Sequence, residues 1–212
     1  MFKYVIFDID GTLVDNEKAL LCSLQKVLRE EGKIYELDEL RFALGIPGGQ
    51  TLKKLGITDI ERVEEKWSHT VVEFSKEISI FEGMEEVLKS LEQSAIKTGI
   101  VTSKTKQEII DEFEPFGLCP YFTQITCADD TDKHKPDSEP MLHCLEKLGA
   151  PKEETLYIGD SIYDMKCAKA AGVNFALAFW GAKKTEGYEA ADYILRTPKE
   201  ILEIIPSEKI IK

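Results

Sequence analysis

Four aspartates fall into two pairs, Asp8 with Asp10 in Phe7-Asp-Ile-Asp-Gly-Thr-Leu13 and Asp160 with Asp164 in Gly159-Asp-Ser-Ile-Tyr-Asp164. Each pair follows a short apolar run. Carboxylates this close repel one another, by about 4 kcal/mol at 4 Å and an effective dielectric near 20. A hard cation removes that cost, and an oxygen-only donor set, with no histidine in ligand spacing, suits Mg²⁺. Asp164 alone has a plainer explanation, since an acid in the first turn of a helix gains roughly 0.3–1 kcal/mol from the helix dipole. That explanation does not require Asp160. Two further segments have the opposite character. Gly99-Ile-Val-Thr-Ser-Lys104 places Thr102, Ser103 and loop amides after an apolar run, groups that can hold phosphate oxygens. Taken alone, Thr102 is an N-cap or turn residue. Lys133-His-Lys-Pro136 adds cations; it reads alone as a solvated loop, with Lys135, held by the following proline, the better candidate to point inward.

These residues need strands to position them. Lys3–Phe7, Lys97–Val101, Phe122–Cys127, Thr155–Ile158 and Phe175–Ala178 are short, β-branched and aromatic, as buried parallel strands are. Helical patterns lie between them at Met84–Gln93, Lys106–Phe116, Glu139–Leu148 and Ile162–Ala171. The third has Pro140 in its first turn and Gly149 just past its end. Such alternation predicts an α/β fold with a parallel sheet covered on both faces, and ligands in such sheets bind at the carboxyl ends of the strands. Asp192–Leu195 reads as an edge strand, and Thr197 with Glu200 as a capping box opening a last helix. From Asn16 to Ile78 the alternation stops. Asn16 is placed to cap a helix carrying Leu20, Leu24, Val27 and Leu28, and Thr58 with Glu61 to box a second one carrying Val63, Trp67 and Val71. The Gly45–Gly49 turn divides them.

The chain has 212 residues with 39 acidic and 27 basic side chains, a formal charge of −12. That balance excludes a basic nucleic-acid or anionic-membrane surface. No apolar run reaches the ~18 residues of a membrane span and no signal-peptide pattern opens the chain. Five cysteines without a C-x-x-C pair suit a reduced, cytoplasmic protein. Trp67 and Phe74 read as core packing. Arg41, Lys53 and Lys54 read as a solvated face that could meet a second anionic group.

The ordered set of D-x-D-G-T-L, a strand ending in Thr, Lys-Pro and G-D-x-x-x-D resembles the haloacid dehalogenase superfamily, in its phosphoglycolate phosphatase and pyrophosphatase branch. The resemblance runs from Tyr4 to about Ile205 and includes Lys135-Pro-Asp-Ser-Glu-Pro140, where Ser138 replaces a usual proline. It implies a three-layer Rossmann-like core, residues 1–15 and 79–212, with strand order 5-4-1-2-3, and an inserted all-helical cap, residues 16–78. It further implies a Mg²⁺-dependent phosphatase acting on a small phosphorylated metabolite, as monomer or homodimer. Asp8 would be the nucleophile and Asp10 the acid–base. Asp8, the Asp10 carbonyl and Asp160 would hold the metal with Asp164 in support, and Thr102, Ser103 and Lys135 would hold the phosphoryl group. The acid at position 10 disfavours a transport ATPase, and the metal-binding acidic set disfavours carbon–halogen hydrolysis. A β-phosphoglucomutase-like mutase, an inorganic pyrophosphatase and a phospho-receiver or binding protein without turnover are the alternatives.

Overall fold

A computed structural model describes residues 1–205. Val5, Ile6 and Phe7 have no exposed surface, as the central strand of a sheet covered on both faces requires. The strands are β1 (Tyr4–Phe7), β2 (Lys97–Val101), β3 (Gln124–Thr126), β4 (Thr155–Gly159), β5 (Asn174–Ala178) and β6 (Tyr193–Leu195), in the spatial order β3-β2-β1-β4-β5-β6. All five pairings are parallel. Read from the other edge, the first five give the expected 5-4-1-2-3, and the sheet runs one strand further because Tyr193–Leu195 adds to β5. The principal helices are α1 (Glu17–Glu30), α2 (Gly48–Lys54), α3 (Ile60–Glu73), α4 (Met84–Gln93), α5 (Glu139–Leu148) and α6 (Ile162–Ala171).

Alternation along β1 sends Val5 and Phe7 to one face and Ile6 to the other. Val5 and Phe7 join Val87, Leu88 and Leu91 of α4. Ile6 joins Met141 and Cys144 of α5 and Met165 and Cys167 of α6. Each fully buried Leu, Ile or Phe contributes about 1.5–3 kcal/mol, so these two layers hold the strand ends in place. A third apolar cluster is built by Leu24, Val27 and Leu28 of α1, Leu52 of α2 and Val63, Trp67 and Val71 of α3. The chain enters and leaves this helical segment through an antiparallel ribbon, Val14–Asp15 against Ser79–Ile80.

Several local features depart from expectation. Helix α3 starts after Asp59, one residue later than the Thr58–Glu61 box requires, and it has no side-chain cap. Glu200 accepts the Arg196 amide rather than boxing with Thr197. The helix expected over Lys106–Phe116 opens with a true Thr105–Glu108 box. It then widens to a π-helical turn at Ile109–Phe113 and ends in a 3₁₀ turn at Glu114–Phe116. The widening turns Glu112 into the interior, where it is 7 % exposed.

The loop after β1 is braced from the end of β5. Trp180 Nε1 donates to the Thr12 carbonyl at 3.0 Å, and a Cβ on Gly181 would lie 1.8 Å from the Gly11 carbonyl oxygen. No backbone there can yield without moving the loop that carries Asp10. Gly181→Ala is therefore expected to cost about 1–3 kcal/mol, the usual cost of overpacking, as measured by urea unfolding. A change near zero would show that this contact does not fix the loop.

Candidate active site

Asp8 and Asp10 leave the carboxyl end of β1, and Asp160 and Asp164 leave that of its neighbour β4. The register pairs Phe7 with Ile158, so the two acidic loops emerge side by side. Chain order also reverses at β1, since β2 lies on one side of it and β4 on the other, which is where such sheets open a crevice. Carboxylate oxygens of Asp8, Asp160 and Asp164 all lie within 4.8 Å of one another.

Lys135 makes this crowding tolerable. Its ammonium, 2 % exposed, donates to Asp8 Oδ1 at 2.9 Å and to Asp164 Oδ1 at 2.7 Å. Asp164 has no exposed surface and no spare acceptor. Its Oδ1 also faces the Tyr157 hydroxyl at 2.8 Å, while Oδ2 receives the Ser161 amide at 2.9 Å and the Ser161 hydroxyl at 2.6 Å. Ser161 caps α6 in return, accepting from the Asp164 amide. Asp160 is less encumbered, with one hydrogen bond from Thr12 Oγ1 at 3.3 Å. A Cβ on Gly11 would come within 2.3 Å of its carboxylate, so glycine is needed there. An oxygen-only cation site thus fits these residues, with Asp8 and Asp160 having free lone pairs and Asp164 holding Lys135 in place.

The electrostatics agree. Burial, then the charge of Asp164, raises the Asp8 carboxyl to about 7, against the pull of Lys135. Burial, then Asp164 and Asp8, raises Asp160 well above the carboxylate range. Burial alone would discharge Lys135, but Asp164 and Asp8 more than offset it and hold its pKa above the usual lysine range.

Asp10 lines a cavity of about 60 Å³. Asp8, Asp10, Ser103, Lys104, Glu112 and Lys135 line the sheet side of it, and Leu20, Leu44, Ile46, Trp67 and Val71, with Glu64 and Ser68 among them, the helical side. Ser103 Oγ is buried without a hydrogen-bond partner. Thr102 is 3 % exposed, and its hydroxyl accepts the Lys104 amide at 3.2 Å. The Gly45–Gly49 turn does approach the core: a Cβ on Gly45 would lie 2.5 Å from Ser161 Cβ. Arg41 instead pairs with Glu17 at 2.8 Å and Lys54 faces the rings of Phe42 and Tyr163; with Lys53, neither reaches the cavity wall.

Four residues were passed over or misread in the sequence. Tyr157 looks like one more apolar strand residue, yet its hydroxyl supports Asp164 and Lys135. Asn16 stands at the N-cap of α1 without capping it, and its side-chain amide donates to Asp10 instead. Lys104 and Glu112 form a buried ion pair at 2.5 Å beside Asp10. Burial and acidic neighbours act on Lys104 in opposite senses; Asp10 and Glu112 prevail and keep it charged.

Residues 5–178 match the model of the haloacid dehalogenase-like hydrolases. The chain belongs to that family. A pyrophosphatase, PpaX, of Halalkalibacterium halodurans is 32% identical over 210 residues, 95% of each chain. A phosphoglycolate phosphatase of Agrobacterium fabrum is 32% identical over 178 residues, 79% of this chain and 76% of that one. Among solved structures, a hydrolase from Pseudomonas syringae superposes with a TM-score of 0.87 at 27% identity, covering 97% of this chain and 98% of that one. With these relatives this haloacid dehalogenase-like hydrolase is an enzyme of the phosphatase kind.

The raised Asp8 pKa has a consequence for stability. With a folded value of about 7 against 3.8 unexposed to the fold, the native state holds a proton that the unfolded state has released in that window. Stability of the metal-free enzyme should therefore fall as pH rises from about 4 to about 7, and fall less in Asp8→Asn. Melting temperatures of both proteins across that range, with chelator present, check this. An equal slope in the two would remove Asp8 as the source.

Proposed function

We propose that this enzyme hydrolyses small phosphomonoesters through an aspartyl-phosphate on Asp8. The observation that carries this reading is the geometry of Asp8 itself. Its Oδ1 is held by buried Lys135 at 2.9 Å, which leaves Oδ2 for attack beside the cavity that Asp10 and Ser103 also line. In the first half-reaction Asp8 Oδ2 bonds to phosphorus, the ester P–O bond breaks, and Asp10 gives its proton to the departing oxygen. In the second, Asp10 takes a proton from water as the water oxygen bonds to phosphorus, releasing phosphate and restoring Asp8. Lys135, the free Ser103 hydroxyl and amide, and Thr102 are assigned to the transferring phosphoryl oxygens. The Asp8 carboxylate, the Asp10 carbonyl and Asp160 are assigned to Mg²⁺, with Asp164 in support. When bound, Mg²⁺ supplies charge neutralisation between an anionic nucleophile and an anionic phosphate.

Residues 16–78 are read as a cap, domain 1–15 with 79–212 as the core, on the strength of the separate apolar cluster and the ribbon joining them. The cap covers the reaction with a mostly apolar wall, which limits water at the intermediate until the leaving group has gone. The cavity of about 60 Å³, where one water takes about 10–15 Å³, suits a leaving group of only a few heavy atoms. Phosphoglycolate meets that limit. Pyrophosphate does too, and the relatives named pyrophosphatase support it as a second reading. Among the described residues no helix is long and apolar enough to cross a membrane. Five unpaired cysteines support a reduced, cytoplasmic setting.

Phosphate release from phosphoglycolate, pyrophosphate, sugar phosphates and nucleotides, with Mg²⁺ and with EDTA, is the deciding assay. Metal-dependent release is expected, strongest for the smallest substrates. Release unaffected by EDTA would overturn the metal assignment, and isomerised sugar phosphate without release would turn the reading to a mutase. Asp8→Asn should lower kcat by more than about 10⁴-fold while leaving the far-UV spectrum intact. Retained turnover in that variant would remove Asp8 as nucleophile.

A further inference from the structure

Lys104 follows Ser103 at the end of β2 and is only 6 % exposed. Its ammonium lies 2.5 Å from Glu112 Oε2 and 3.3 Å from Asp10 Oδ1. Asn16, 2 % exposed, donates its side-chain amide to that same Asp10 Oδ1. A buried lysine–glutamate pair is a poor device for stability, since apolar residues of similar volume usually serve the fold as well or better. Nor does the local backbone favour it. Glu112 reaches Lys104 through the π-helical turn at Ile109–Phe113, a distortion found most often at functional sites. Both members of the pair line the cavity that Asp10 shares.

We infer that Lys104, held by Glu112, acts with Asn16 as a positioning pair for Asp10, pinning Oδ1 so that Oδ2 is the oxygen that exchanges protons. The role rests on the reading of Asp10 as the acid–base group. In the first half-reaction the Oδ2 proton passes to the ester oxygen as its bond to phosphorus breaks. In the second, Oδ2 accepts a proton from the attacking water. Neither Lys104 nor Glu112 gains or loses a proton in either step. With Oδ1 unpinned, the carboxyl rotates and the proton is presented out of line, and misplacement of this order costs about 10²-fold in rate.

A merely structural lysine would affect all substrates alike, whereas a lysine that aims a proton donor affects only leaving groups that need the proton. Single-turnover rates of phosphoryl transfer from ethyl phosphate and from acetyl phosphate separate the two, because acetate departs without protonation and is as small as the cavity requires. Lys104→Met is expected to slow transfer from ethyl phosphate at least tenfold more than transfer from acetyl phosphate, in rate constant rather than in binding. Glu112→Gln should show the same bias to a smaller degree. The double variant Lys104→Met/Glu112→Met removes both charges and should melt no lower than wild type, yet keep the bias. Equal losses on the two substrates, or recovery of the ethyl phosphate rate in the double variant, would overturn the positioning role. Asp10→Asn serves as reference. If it shows a strong bias and Lys104→Met none, the positioning role alone falls; if Asp10→Asn shows none, the acid–base reading falls and the role with it.

Discussion

The Lys135 ammonium is the interaction on which the rest of the site depends. Three carboxylates converge at the ends of β1 and β4, and burial raises two of them far above their ordinary range. One buried cation, bonded to Asp8 and Asp164 together, is what allows this concentration of charge inside a folded chain. Its own position is fixed from behind. Asp164 is locked by Ser161 at the start of α6 and by Tyr157 on β4, so the cation that orients Asp8 is itself oriented by a helix cap and a strand. The core strands are therefore more than a platform: the pairing of β1 with β4 sets the separation of the acidic loops.

Within the acidic cluster the residues divide by what their lone pairs are free to do. Asp164 has four neighbours on two oxygens and nothing left over. Asp160 has one long hydrogen bond and faces Gly11, whose lack of a Cβ lets the two loops meet. Asp8 and Asp10 each have one oxygen held and one free, Asp8 by Lys135 and Asp10 by Asn16 and Lys104. Each of these two carboxylates thus presents a single free oxygen.

Contiguous motifs made much of this legible in the sequence. The β1 and β4 loops announce themselves because their acids follow apolar runs within a few residues, and the helices Met84–Gln93, Glu139–Leu148 and Ile162–Ala171 begin and end where their apolar spacing and glycine stops place them. What escaped was set by tertiary contact. Asn16 has the chemistry of an N-cap and occupies that position, but a nearby carboxylate competes for its amide and wins. Glu112 reads as a solvent-facing residue of a regular helix; the widened turn rotates it inward toward a lysine eight positions back. Tyr157 satisfies the pattern of a buried strand so well that its hydroxyl attracts no notice. In each case the local reading was sound, and a polar partner distant in sequence or out of helical phase overrode it.

The helical segment completes the electrostatic argument. Its wall is mostly apolar, with Leu20, Leu44, Ile46, Trp67 and Val71 broken by Glu64 and Ser68, while the opposite wall carries Asp8, Asp10, Lys104, Glu112 and Lys135. Charges facing a mostly apolar surface are less screened than in open water, so each interaction among them is stronger than it would be in an open cleft. The same desolvation that raises Asp8 also makes Lys135 indispensable and makes the burial of Lys104 costly without Asp10 and Glu112 beside it. Opening the helical segment would hydrate all of these groups at once and weaken their hold on one another. The organisation of the charged wall and the packing of the helical wall across from it are therefore linked.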